Sequence, residues 1–154
     1  MHYNTKIMKA EDILSYQFFH AIPVQTRYND IDLAGHVNNA VYYEYYDLGR
    51  VNYFNDVLGE DAFSREKHVA IAQSNTTFLK ELFLFDDIQL VSKVIRFGTK
   101  SFDLLQAILL PSDEGMELCS FTITTFVCMN YTKHETIKIP QDWKEKIEKF
   151  EYQQ

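Results

Sequence analysis

Cysteine is scarce: only Cys119 and Cys128 occur in 154 residues. They sit nine residues apart in one strand-like run, an odd separation that sends their side chains to opposite faces of a sheet. A disulfide between them is therefore not expected, and a reducing, cytoplasmic setting fits. The histidines His2, His20, His36, His68 and His134 are scattered, and neither Cys-x-x-Cys nor His-x-x-x-His occurs, which removes the usual zinc patterns. Positive charge is also in deficit, with 15 Lys and Arg against 22 Asp and Glu, a net charge of −7. That balance argues against nucleic acid or an anionic membrane as the main partner, because affinity for either comes from clustered cations. No apolar run approaches the roughly 18 residues that a helical membrane span requires. Met1 to Ser15 mixes Lys6, Lys9, Glu11 and Asp12 with few apolar positions, unlike a signal peptide. Gly-rich phosphate loops and the Gly-x-Ser-x-Gly elbow are missing. So are repeats, linkers and low-complexity segments, which leaves a single domain over residues 1–154.

Apolar residues are plentiful, at 46% with 15% aromatic, so a large aromatic core must be packed somewhere. A chain of this length buries about two-thirds of its extended surface without a metal or disulfide. Residues 19–29 read as a strand, with Ile22, Val24, Thr26 and Tyr28 alternating against Pro23, Gln25 and Arg27. Pro23 places that strand at an edge or at its own start. The period then changes. Residues 38–58 contain no Pro, open on the capping residues Asn38 and Asn39, and close before Gly59, the signature of one helix of roughly 30 Å. Val41, Tyr42, Tyr45, Tyr46, Leu48, Val51, Tyr53 and Phe54 cover most of its circumference, so it is buried on several sides. Gly49 costs about 1 kcal/mol relative to Ala in a helix interior, which implies a close approach by another element. Four strand-like segments follow near 68–79, 88–97, 101–110 and 117–131. In the last, Cys119, Phe121, Ile123, Val127, Met129 and Tyr131 share one face and Ser120, Thr122, Thr124 and Asn130 the other. Turns at 98–100 and 111–115 make the last three an antiparallel meander. A helix over 141–150, with alternating Lys and Glu, is expected to cover a sheet edge or face solvent. The order is β-α-β-β-β-β, an α+β class in which one antiparallel sheet wraps around one long helix.

The chemistry-bearing residues concentrate where the first strand meets the long helix: Asp30, Asp32, His36, Asn38 and Asn39 fall within ten positions. A helix N-terminus presents free N–H donors and about half a positive charge, which suits a carbonyl oxygen that becomes an oxyanion during acyl transfer. A carboxylate just upstream supplies a general base or a nucleophile. Asp and Asn ahead of a helix are also common caps and turn formers, and composition does not separate the two readings. A calcium loop is excluded, because Asp30, Asp32 and Gly35 fit positions 1, 3 and 6 but Val41 stands where the bidentate Glu belongs. Arg27 is expected to pair with Asp30 or Asp47.

The run Arg27-x-x-Asp30-x-Asp32-x-x-Gly35-His36-Val37-Asn38-Asn39-x-x-Tyr42 resembles the signature of the 4-hydroxybenzoyl-CoA thioesterase-like branch of the hotdog superfamily. Its His-Val-Asn-Asn part is also similar to acyl-ACP thioesterases. The likeness extends from about Phe19 to Tyr131. It implies a hotdog fold, acyl-CoA or acyl-ACP as substrate, no cofactor or metal, and assembly into a homodimer or homotetramer with sites between two long helices. It also implies that Asp32 is the catalytic carboxylate and that the N–H near Asn39 polarises the thioester carbonyl. His36 matches a His used beside that Asp in acyl-ACP thioesterases, but Ala34 replaces their Asn, so His36 serves catalysis or loop orientation. The resemblance places Lys100 and Ser101, with Arg96, near a CoA nucleotide, whereas an ordinary solvated hairpin explains them equally well. Tyr42, Tyr45 and Tyr46 read as core or interface aromatics, with Tyr42 closest to the substrate. Two rivals remain: an enoyl-thioester hydratase or dehydratase, whose loop usually has Asn-Pro where Ala34-Gly35 stands, and a non-catalytic acyl-thioester binding protein.

Overall fold

The change of period at Asn38 marks the central architectural event of the chain. A computed structural model describes residues 8–153, and the reading of residues 1–7 as part of a non-leader segment lies outside them. Its elements are α1 (Ala10–Leu14), β1 (His20–Gln25), α2 (Asn39–Leu58), β2 (His68–Phe78), β3 (Asp87–Phe97), β4 (Ser101–Ser112), β5 (Gly115–Asn130), β6 (Glu135–Thr136) and α3 (Gln141–Glu151). The sheet has the order β1-β3-β4-β5-β2, every pair antiparallel, with β6 added to β5. Helix α2 lies across it. The Asn38 side chain caps the helix by accepting the Ala40 N–H at 2.9 Å. At the other end Gly59 takes φ +98° and returns its N–H to Asn55 O. Tyr42, Tyr45, Tyr46, Tyr53, Phe54 and Leu58 are buried along α2. Gly49 marks the tightest crossing: a Cβ there would collide with the Leu90 side chain and lie 2.8 Å from Gln106 Nε2.

Three sequence expectations need correction. Strand β1 ends at Gln25, four residues early, and Tyr28–Asp30 form a 3-10 turn instead, because the Asp30 carboxylate captures the Arg27 N–H at 2.9 Å and side-chain capture of backbone competes with the ladder. Cys119 and Cys128 do not face opposite ways. Leu109 pairs with Leu118 while Ile108 pairs with Ser120, so Cys119 is the extra residue of a β-bulge and the alternation resets there. Both thiols therefore pack on the helix side, in separate clusters with Tyr42 and Tyr53. They remain free because nine strand residues hold them roughly 30 Å apart. The same shift puts Ser120, Thr122 and Thr124 on the helix face, where Tyr46 Oη donates to Ser120 Oγ at 2.7 Å. Phe121, with Leu118, packs instead with Ile13 of α1, on the outer face.

Helix α3 is the third correction. It is part of the core, not a solvated cover: Trp143 and Ile147 are fully buried, one turn apart, against Tyr53, Phe54 and Phe126. Its last residue, Glu151, accepts from Tyr53 Oη at 2.6 Å and from Lys93 Nζ at 2.8 Å. Pro23 sits in β1, which among the described residues pairs only with β3 and is an edge of the sheet.

Candidate active-site groove

The segment between the 3-10 turn and α2 is a miniature hairpin. Ile31 bridges Val37, the Asp32 N–H donates to His36 O at 2.9 Å, and the Gly35 N–H returns to Asp32 O at 3.0 Å. The reversal needs the left-handed φ of +81° at Gly35, which a β-carbon disfavours. Two further backbone bonds seat the hairpin: Val37 N–H to Leu82 O at 2.8 Å and Asn38 N–H to Asp30 O at 2.9 Å. Asp30 is 2% exposed, and its carboxylate accepts from Tyr45 Oη at 2.7 Å, the Arg27 N–H at 2.9 Å and Arg27 Nη2 at 3.0 Å. Burial alone pushes this carboxyl up, but those hydrogen bonds and the adjacent guanidinium outweigh it and hold it below its ordinary value of 3.8. Arg27 also reaches Glu44 at 3.3 Å, while Asp47 pairs with Arg50, so of the two expected partners only Asp30 meets Arg27.

Asp32 is different in kind. It is exposed in the single chain and lines the groove; one carboxylate oxygen accepts the Ala34 N–H at 2.9 Å, and the other has no hydrogen-bond partner among the described residues. The groove measures about 460 Å³. One wall carries Asp32, His36, Asn39 and Tyr42, and the other is formed by residues 78–81. The donors of the first turn of α2 can be accounted for one by one. Asn38 N–H goes to Asp30 O, Ala40 N–H to the Asn38 side chain and Val41 N–H to Asn38 O. Among the described residues the Asn39 N–H alone has no acceptor, an orphan donor at the positive end of a 20-residue helix.

The floor is aromatic. Tyr42 meets Phe78 edge to face at 5.0 Å, its hydroxyl reaches Lys80 O at 3.4 Å, and burial pushes its pKa up to about 12. His36 stands edge-on to Phe83 at 5.1 Å, so its ring is packed while its carbonyl holds Asp32. Cys119 lies behind Tyr42 in the same cluster, and burial raises its thiol to about 11, so it is a protonated core residue and not a nucleophile. Among the described residues, no three His, Cys, Asp or Glu side chains are grouped to hold a metal.

Four of the residues singled out from sequence thus share one groove: Asp32, His36, Asn39 and Tyr42. Lys100 and Ser101 do not join them. They lie at the other end of β4, nine residues from the Leu110 and Glu117 pair that adjoins Lys80, which is roughly 30 Å along the strand. There Lys100 Nζ contacts Thr136 at 3.1 Å and Arg96 forks onto Asp103 at 2.6 and 3.1 Å. The second wall, residues 78–81, was missed because it starts at the last residue of β2 and continues as irregular chain, where neither period applies. The β-bulge creates it: Leu79 and Lys80 N–H both donate to Cys119 O.

Residues 26–147 match the family described as the thioesterase-like superfamily. Among curated proteins, the uncharacterized protein YsmA of Bacillus subtilis is 23% identical over 90 residues, which cover 58% of this chain and 59% of YsmA; the chain thus spans about three-fifths of that relative. A Thermus thermophilus thioesterase complexed with coenzyme A and Zn is 23% identical, with TM-score 0.73 over 87% of this chain and 95% of its own. The probable thioesterase YbaW of Escherichia coli is also 23% identical, with TM-score 0.71 over 85% and 98%. A 4-hydroxybenzoyl-CoA thioesterase variant complexed with 4-hydroxybenzoyl-CoA is 19% identical, with TM-score 0.74 over 83% and 97%. These structural likenesses establish the fold, a hotdog in which one antiparallel sheet wraps a long helix. With the family match spanning most of its length, the chain belongs to the thioesterase-like superfamily.

Proposed function

We propose that the chain hydrolyses an acyl thioester, with Asp32 as general base and the Asn39 N–H as oxyanion donor. One observation carries the reading: among the described residues, a carboxylate with one oxygen unpartnered and the one N–H of the α2 first turn without an acceptor belong to residues that line the same groove. With the thioester carbonyl oxygen on the Asn39 N–H, Asp32 takes a proton from water as the water oxygen bonds to the carbonyl carbon. The carbonyl π pair moves onto oxygen, where the N–H and the helix terminus stabilise it. Collapse breaks the C–S bond, and the proton held by Asp32 passes to the departing sulfur, which restores the carboxylate and frees a thiol and a carboxylic acid. His36 orients the loop through its carbonyl bond to the Asp32 N–H.

The aromatic floor of Tyr42 and Phe78 suits an acyl chain or an aryl group, and a coenzyme A ester is the favoured form because a fold relative carries that cofactor. Strand β2 is an unpaired edge that exposes Ile71 and Phe78, and α2 beside it exposes Tyr43 and Val51. Bare edges of this kind invite strand pairing, and a second copy is the partner we assign, giving a homodimer with each groove closed at the interface. Lys100 and Ser101, remote from the groove of their own chain, would then meet the nucleotide of an ester bound to another copy in a larger assembly. Two buried free thiols fit a cytoplasmic location, and among the described residues no helix is long and apolar enough to cross a membrane. The test is a screen of acyl-CoAs of graded chain length, their 2-enoyl counterparts and aryl-CoAs, following free thiol and enoyl absorbance together. Thiol release supports hydrolysis. Loss of enoyl absorbance without thiol would assign a hydratase, and saturable binding without either would assign a carrier.

A further inference from the structure

We infer that Asp30 is a positioning residue, clamped by Tyr45 and Arg27, that fixes Asp32 over the N-terminus of α2; the inference rests on the proposed role of Asp32 and deepens it. A carboxylate this deeply buried is costly unless its lone pairs are filled. Asp30 fills three of them from two residues on different elements. Tyr45 Oη comes from the second turn of α2, and Arg27, two residues past the end of β1, supplies both its N–H and its Nη2, the latter from a guanidinium that also reaches Glu44 on α2. The Asp30 main chain completes the clamp, since its carbonyl takes the Asn38 N–H that opens the helix.

Asp30 therefore ties the entry of the hairpin, its exit and the helix to one point. Only Ile31 separates it from Asp32, and Ile31 is itself bridged to Val37. Loosening the clamp lets the Asp32 carboxylate drift relative to the Asn39 N–H, and a misplacement of about 1 Å at a reacting group costs up to about 100-fold in rate. An acceptor-only carboxylate is required, because the amide of an Asn would turn a donor towards Tyr45 or Arg27.

Tyr45→Phe tests this, since it removes one hydroxyl and keeps the ring. Tyr53→Phe is the matched control: its hydroxyl also bonds a buried carboxylate, Glu151, at 2.6 Å, but at the far half of α2. Tyr45→Phe is expected to lower kcat by about 10- to 100-fold with KM little changed, and to speed amide exchange at Asp32, Val37 and Asn38 by about tenfold. Tyr53→Phe should do neither while lowering Tm comparably. Equal kcat and equal loop exchange in the two variants would overturn the clamp. Arg27→Gln, at a side chain 65% exposed and so safe for folding, should show the same kcat and exchange signature in weaker form; wild-type values there would also count against it. If the wild-type protein releases thiol from no acyl-CoA, the hydrolase reading falls, and the amide exchange comparison still decides the clamp.

Discussion

Replacing Gly49 with Ala sets two effects of opposite sign against each other at the point where α2 crosses the sheet. Helix propensity favours Ala by about 1 kcal/mol. Against it, the new methyl would collide with the Leu90 side chain and lie 2.8 Å from Gln106 Nε2. Leu90 is fully buried, and a close-packed interior leaves its methyls little space to retreat into; overpacking of this kind costs about 1–3 kcal/mol. The Gln106 amide donates to Tyr46 O at 3.0 Å and Ser92 Oγ at 3.2 Å, so displacing it weakens two buried hydrogen bonds worth about 1 kcal/mol each. Combining these, the variant should be less stable by about 2–4 kcal/mol. At about 2–4 °C per kcal/mol for a chain of this size, thermal unfolding followed by circular dichroism should show a Tm lower by about 4–16 °C. A Tm equal to or above that of the wild type would show that the crossing is looser than described.

Other expectations follow from single groups. Glu151→Ala leaves the Lys93 ammonium, 13% exposed, and the Tyr53 hydroxyl without their partner, which should cost about 3–5 kcal/mol in urea denaturation; a loss below about 1 kcal/mol, the scale of a surface pair, would contradict the burial of that cluster. Asp30 titrates below its ordinary value of 3.8 in the folded chain, so the unfolded chain binds that proton more readily. Its contribution is therefore present above that value and is lost as pH falls through the folded pKa. The destabilisation caused by Asp30→Asn should accordingly shrink between pH 7 and pH 3, and a constant difference across that range would refute the assignment. Burial pushes the thiols of Cys119 and Cys128 up to about 11, so a thiol reagent at pH 8 should modify them slowly in the native protein and at once in urea. Prompt labelling of the folded chain would mean that one of them is accessible.

Much of this was legible in the sequence because strong periodicity and strong caps coincide. The span of α2 differs by one residue from its reading, since Asn38 is a cap that announces itself and Gly59 supplies a conformation few other residues adopt. The close approach at Gly49 was readable because an interior glycine has a cost that something must offset. What failed was whatever depends on register or on long-range partners. One unpaired residue at Cys119 inverts a face assignment, and no local pattern marks where a bulge falls. The Lys and Glu alternation of α3 hid Trp143 and Ile147, whose spacing of four is the more telling signal, and the burial of Glu151 depends on Lys93, 58 residues away. At the groove, the loop side was written in Asp32, His36 and Asn39, whereas the wall of residues 78–81 is set by distant partners, Tyr42 against Phe78 and the Cys119 carbonyl that takes two of its N–H groups.

The central claim is most directly tested by comparing Asp32→Asn with the wild type on the acyl-CoA that the screen finds best, following thiol release. Asp32 is exposed and, among the described residues, its side chain bonds only its own loop, so the variant should fold and melt like the parent. Its kcat should nevertheless fall by about 10²- to 10⁴-fold, the contribution of a positioned general base, with KM little altered. Turnover at the wild-type rate in a folded Asp32→Asn protein would contradict the account.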